Sequence, residues 1–355
     1  MIPILYDGDL SGALANNNGI GRLADCESCN VTEERNGEYT LELEIPANGR
    51  HAGELKPGRI IKALTKTGLQ LFRIDRATPN MNSVPVYANH ISYDLSFYPV
   101  NPFTVSSSSR PNPSTWMTAL FANIALTCPF TQDTESYQTS GSGGWTVRLP
   151  SSVRALIGSG DNSFLHRWDG EFKWDNTEVI WQLERGSDKG VTIRYGKNLL
   201  DIEQETNIAE TVCGVLPYWA NSSTVVVGDI QYSANSSSFP FPKTKVVDLS
   251  SSFSSAPSKA DLNGAAQLYI SRENIGVPEV STEISFYQLL NELGDLKVIE
   301  DIDLCDTVTV YFQRLGIQTK AKVVKTVFNV LLERYETITL GTVKKNLADT
   351  VAALM

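Results

Sequence analysis

The chain is poor in the residues on which most catalytic chemistry is built. Of its 355 residues only three are histidines, His51, His90 and His166, far apart and set among different elements. A hydrolase that works through histidine needs that base beside its nucleophile, and nothing in the sequence assembles such a pair. H-E-x-x-H, G-x-S-x-G, G-x-x-x-x-G-K-[ST] and a strand–G-x-G-x-x-G–helix unit are all missing, which removes the usual zincin, α/β-hydrolase, P-loop and dinucleotide-binding signatures. No apolar run approaches the roughly 20 residues of a membrane span. The opening MIPILYDGDL lacks the basic segment of an export signal, so the sequons at Asn30, Asn221 and Asn235 carry no expected glycan. Positive charge is in deficit, with 30 Lys and Arg against 40 Asp and Glu and a formal charge of −10. That excludes the basic stripe of a nucleic-acid clamp. An acidic surface suits a conduit wall that DNA must pass without sticking, and equally plain solubility.

What is present is β-pattern. Tyr39, Leu41, Leu43 and Ile45 alternate with Thr40, Glu42 and Glu44, the period of a half-buried strand, and Pro46 ends it. Asn36-Gly37 marks a turn. A two-residue loop pairs Leu41 with Thr32. A three-residue loop, Arg35-Asn36-Gly37, pairs Leu41 with Val31 and Leu43 with Cys29, which alone puts apolar residues on one face. The expectation is a type I turn with Gly37 at a left-handed bulge position. Cys26-Glu27-Ser28-Cys29 precedes this hairpin. On one extended strand, cysteines three apart point to opposite faces, so they neither share a metal nor close a disulfide. Cys128, Cys213 and Cys305 are scattered and supply no second C-x-x-C. Five cysteines, an odd number, suit assembly in a reducing compartment.

Residues 1–98 read as all-β, with further strands expected at Arg59–Lys66, Gln70–Ala77 and Val84–Tyr93. The polar stretch Ser106–Pro113 reads as a boundary. Residues 99–182 read as α+β: a helix capped by Ser114, short helices at Ser151–Ile157 and Asn162–Arg167, and a hairpin turning at Asp175-Asn176. A second β domain is expected over 183–256 and 298–342, carrying an α/β insert at 257–297 with a helix opened by Pro257. Gly58–Ala63 leading to Phe72–Arg76 resembles Asp306–Tyr311 leading to Ala321–Lys325, which reads either as two related barrels or as two generic meanders. Residues 343–355 read as a helix with Leu347, Val351 and Leu354 on one stripe.

Acidic groups offer two candidate constellations. Asp7-Gly8-Asp9-Leu10-Ser11-Gly12 lacks the terminal glutamate of a calcium loop and reads as a turn-rich loop. Glu300, Asp301, Asp303 and Asp306 read as a solvated rim, with a glycosidase pair as the sharper alternative. Trp168, Trp174 and Trp181 read as core more readily than as a sugar platform. No catalytic, cofactor-binding or metal-ligating residue is assigned.

Four stretches in order carry a resemblance. They are Gly19–Pro46, Gly170–Asn176 with Arg185–Leu199, Gly214–Trp219, and Leu332–Gly341. Together they resemble the phage and prophage minor structural proteins of the prophage endopeptidase-tail family, tail-hub components of siphophages of Gram-positive bacteria. The resemblance implies a mainly β fold with α+β parts, like a baseplate hub: two β-barrel tube domains and two smaller α+β domains. It implies a homotrimer whose six barrels match a hexameric distal tail protein, in contact with the tape-measure protein. Such a trimer closes the tail tube and opens for DNA ejection. It implies a place at the virion tail tip after assembly in the host cytoplasm, and no cofactor. Longer members append a peptidoglycan hydrolase or a receptor-binding stalk. This chain stops at Met355, where that extension would start, so the endopeptidase label is not expected to apply within it. A cell-wall hydrolase and a carbohydrate-binding adhesin are the alternatives.

Overall fold

Alternating apolar residues in the first hundred positions set an antiparallel sheet. In the computed structural model, described for residues 1–15, 17–106, 112–136, 144–158, 160, 162–194, 198–207, 211–253, 255–273, 275–277, 279–286, 301–312 and 317–341, its strands are β1 Ile4–Tyr6, β2 Gly21–Arg22, β3 Ser28–Glu34, β4 Tyr39–Pro46, β5 Ile60–Thr65, β6 Gly68–Ala77 and β7 Ser83–His90. Leu41, Leu43 and Ile45 are fully buried or nearly so, and β4 pairs Val31 with Leu41 and Cys29 with Leu43, the register of the three-residue loop. The turn differs in one respect: Asn36, not Gly37, holds the positive φ, at 51°. Asparagine tolerates that region, and its amide is used elsewhere, as shown below. β7 stops at His90 because Ile91–Phe97 form a 3-10 turn. Asp9 caps a five-residue helix, α1 Leu10–Leu14, accepting from the N–H groups of Ser11 and Gly12. The Asp7–Gly12 stretch is thus a helix start rather than only a loop.

The next segment contains β8 Pro99–Val100, β9 Phe103–Val105, α2 Pro113–Ala122, β10 Thr131–Thr134, β11 Trp145–Val147, β12 Ser151–Ser152, α3 Val153–Gly158, α4 Phe164–Trp168, β13 Glu171–Asp175 and β14 Glu178–Gln182. The cap of α2 is Asn112 rather than Ser114, with Pro113 at the first helical position, where a missing N–H costs nothing. The turn between β13 and β14 is Asn176-Thr177, since Asp175 already pairs with Glu178. Trp168, Trp174 and Trp181 are buried. Trp116 stacks on Trp145 at 4.9 Å and Phe172 on Trp174 at 5.3 Å, so these indoles fill a core.

β15 Asp188–Arg194 and β16 Leu199–Asn207 follow. Contacts then divide the chain into two units, 1–203 with 283–355, and 204–282. The smaller unit holds β17 Gly214–Ala220, β18 Val225–Val227, β19 Gln231–Tyr232, β20 Thr244–Asp248 and α5 Lys259–Arg272. In it, Val215, Trp219 and Val247 pack against Leu262, Ala266 and Ile270 of α5. Ser250 Oγ accepts from Ala220 N–H at 2.9 Å and donates to Asp248 at 2.5 Å, and Ser258, not Pro257, caps α5. On the other face of this sheet Val225, Val227 and Val246 are exposed.

β21 Glu279–Phe286, β22 Thr307–Phe312, β23 Ile317–Asn329 and β24 Arg334–Gly341 complete the chain. The paired segments noted in the sequence are both antiparallel hairpins, β5–β6 and β22–β23. The largest sheet is ordered β16-β21-β24-β23-β3-β4-β7-β6-β5-β1-β2, with β22 against β23 and β15 against β22, while β10, β14 and β13 form a sheet of their own. The seam is β3 on β23, from Glu34 opposite Lys325 to Asn30 opposite Asn329. The helix expected at 343–355 lies outside the described residues, as do residues 287–297 of the expected insert.

Candidate functional site

Behind the seam, charges from four separate stretches meet. Glu33 at the end of β3 accepts from Arg185 Nη1 at 2.8 Å, and both side chains are nearly buried. Glu171, on β13, accepts from Lys322 Nζ at 2.6 Å, from Arg185 N–H at 2.8 Å and from Arg35 Nη1 at 3.3 Å. Burial alone would raise the Glu171 carboxyl, but Lys322, the Arg185 N–H and Arg35 together hold it below the usual range. Arg185 is desolvated, which favours its neutral form, yet the Glu33 charge keeps it firmly protonated. The backbone after Arg185 runs so close to residues 305–306 that a side chain on Gly186 would meet Cys305 O at 2.0 Å. Burial in turn pushes the Cys305 thiol up to about 12.

Two further polar clamps bind β13 and its turn to the sheet. Asn36 donates to Gly170 O at 2.8 Å and accepts from Phe172 N–H at 2.9 Å. Gln70 donates to Asp175 at 2.9 Å and accepts from Asn176 N–H at 2.8 Å. His90 Nε2 lies 3.1 Å from that same Gln70 oxygen, so it must be the donor. Nδ1 then accepts from Ser92 N–H at 3.2 Å, which fixes the neutral tautomer. Burial, and then the Arg154 charge, hold His90 well below its ordinary pKa. Arg154 is itself fully buried, with its guanidinium 3.8 Å from the Tyr93 ring. Burial lowers it to about 10, against the opposing pull of Tyr93.

The acidic run before β22 is ion-paired rather than a free rim. Lys189 Nζ lies 2.9 Å from Asp303 and 2.9 Å from Asp306, and Lys66 Nζ 2.5 Å from Asp301. The Lys66 bond lowers Asp301. Asp306 is buried and accepts from the N–H groups of Ser187 and Asp303. The outer face of β3, β4, β7 and β6 forms a groove of about 360 Å³ lined by Asn30, Glu42, Glu44, Arg76 and Tyr87, groups able to hydrogen-bond a polar partner.

The histidines are not brought together by these contacts. His51 pairs with Glu54, His90 with Gln70 and Ser92, and His166 sits in α4. Among the described residues no group of three or more His, Cys, Asp or Glu is placed to hold a metal ion. The buried charges Glu33, Glu171, Arg154 and Arg185 were not singled out from sequence, because the partners that bury them lie far away along the chain. Arg185 lay inside a signature stretch, which was its one visible mark.

This mainly β fold is one found in phage tail proteins. Residues 187–351 match the model of the prophage endopeptidase tail family. Among solved structures, prophage tail protein gp18 of Listeria monocytogenes EGD-e is similar at 14% identity and TM-score 0.59, over 100% of this chain and 98% of that one. The 43 kDa tail protein of prophage MuSo2 from Shewanella oneidensis is similar at 9% identity and TM-score 0.61, over 96% and 98%. A tail protein of Neisseria meningitidis MC58 is similar at 9% identity and TM-score 0.58, over 98% of both. No curated protein matches the sequence. The chain thus shares the fold of these phage tail proteins, and residues 187–351 carry the signature of the prophage endopeptidase tail family that its sequence resembles.

Proposed function

We propose that the chain is the structural hub of a phage tail tip. Three copies close the tail tube, join a hexameric distal tail ring to the tip, and open for DNA ejection. The observation that carries this reading is the β3–β23 seam. It sets two hairpin-built half-sheets side by side in one chain, so that three chains offer six such halves to a sixfold partner. The halves correspond to two tube domains, one from residues 1–98 and one from 183–203 with 283–341. The first carries the α+β segment 99–182 and the second the compact unit 204–282. The buried charges support a structural role, since they tie segments together instead of facing a cleft. Contacts with the tape-measure protein and with a stalk or receptor-binding protein belong to the same reading, as do assembly in the host cytoplasm and residence at the virion tip. Any cell-wall hydrolysis by such a tail would reside in another domain.

Light scattering across a concentration series tests the proposal. A stable species near 117 kDa, three times the 39.0 kDa chain, is expected of the chain alone, or else a complex holding three copies per ring on mixing with the distal tail ring. A 39.0 kDa monomer that stays monomeric with the ring present overturns it. Zymography on Gram-positive cell walls separates the hub from a hydrolase, and glycan binding by the isolated chain separates it from an adhesin.

A further inference from the structure

The Cys26-Glu27-Ser28-Cys29 stretch, read from sequence as pointing its sulfurs to opposite faces, turns both cysteines to one core. β3 begins only at Ser28. Glu27 donates its N–H to Glu44 O at 2.9 Å, although Glu44 is already the register partner of Ser28. Two residues thus oppose one, as in a bulge, and the alternation slips by one position. Cys26 therefore comes round to the face of Cys29. A tight turn, with Cys26 N–H donating to Leu23 O at 3.2 Å, holds it there. Cys26 Sγ lies 3.0 Å from Ser28 O, and Cys26 packs against the core in which Cys29 is buried. Cys29 is fully buried, while Cys26 is only partly so and is reachable from solvent.

We propose that Cys26 and Cys29 form a redox site that a small-molecule disulfide, such as oxidised glutathione, converts to an intrachain disulfide. Cys26 is the attacking sulfur: as thiolate it displaces one glutathione thiolate and forms a mixed disulfide. Cys29 then gives up its proton and attacks Cys26 Sγ, expelling the second glutathione. Two protein thiols are oxidised and one oxidant molecule is reduced to two thiols, so electrons and protons balance. The environment divides the labour. The neighbouring Cys29 lowers the Cys26 thiol. The neighbouring Cys26, and then burial, raise Cys29 well above its ordinary value, so the second step is the slower and quickens as pH rises. The bridge would sit on the seam, because Cys29 O accepts from Val330 N–H at 2.9 Å. Its formation does not depend on the tail-hub reading. That reading adds only the occasion, the passage from a reducing cytoplasm to an oxidising exterior.

The test treats the full chain with oxidised glutathione, quenches with acid, alkylates remaining thiols in denaturant, and reads each cysteine by peptide mass spectrometry. The expected product has the 26–29 peptide unalkylated and two hydrogens lighter, with Cys213 and Cys305 still alkylated. Cys26→Ser should lose the bridged form completely and leave Cys29 a thiol. Cys29→Ala should trap glutathione on Cys26. Full alkylation of both cysteines at every oxidant ratio, or a glutathione adduct on Cys26 that persists in the unaltered chain, overturns the proposal. Cys26→Ser changes only a partly exposed turn residue, so it reads the site even if Cys29→Ala fails to fold.

Discussion

The larger unit carries charge through its interior, burying Arg154, Glu171 and Asp306 with neutral His90. The smaller unit, among its described residues, buries no charged side chain: its core is Val215, Trp219, Val247 and the apolar face of α5. Its ion pair, Lys259 with Asp229, is exposed on both sides. The difference follows from topology. A sheet backed by one 14-residue helix is covered by apolar packing alone. The larger unit must fix segments that lie far apart in sequence against one sheet, and buried hydrogen-bonded charges do so with a defined geometry.

The strongest way to break this comparison is Arg185→Ala. It strands Glu33 without its partner and should cost about 3–5 kcal/mol, read from denaturant unfolding. Hydrogen exchange should rise along β3, β13 and β23. An equal rise in the smaller unit would sink the contrast drawn here. Leu262→Ala, a fully buried residue of α5, should cost about 2–5 kcal/mol by leaving a cavity. Its exchange signature should lie in 214–248 and 259–272 and spare the hairpin. Asn36→Gly keeps the left-handed backbone but loses both bonds to the 170–172 segment, at about 1–2 kcal/mol. Asn36→Ala should cost more, since alanine also resists that φ.

Acid should act on the larger unit first. His90 has a depressed folded pKa, so the unfolded chain binds the proton more readily and stability falls as pH drops below about 6.5. Glu171 is also lowered. Its contribution is present above the ordinary carboxylate range and is lost as pH falls through the folded value. A stability–pH curve should therefore decline in two stages. His90→Gln should remove the upper stage and Glu171→Gln the lower. Asp229→Ala, at a fully exposed pair, should give no measurable change.

Much of the strand framework was legible because it is local. Alternation in Tyr39–Pro46 together with the loop-length argument gave the observed register, and β5 and β6 stand where their patterns put them. What escaped was set by partners distant in sequence. Asn36 takes the left-handed position while its amide serves Gly170 and Phe172. The acidic run became an ion-paired seam because Lys66 and Lys189 arrive from elsewhere. The bulge opposite Glu44 reversed the expected facing of Cys26, and nothing in C-x-x-C announces a bulge.

The β3–β23 pairing also sets a timetable. Asn30 waits for Asn329, which at about 5–20 residues per second leaves that strand edge without its neighbour for on the order of 15–60 seconds of synthesis. An open edge is a template for another chain, and several nascent copies on one message would offer many. Polar Asn30 and Thr32, on the less buried face of that strand, temper the edge until the C-terminal hairpin emerges and claims its place.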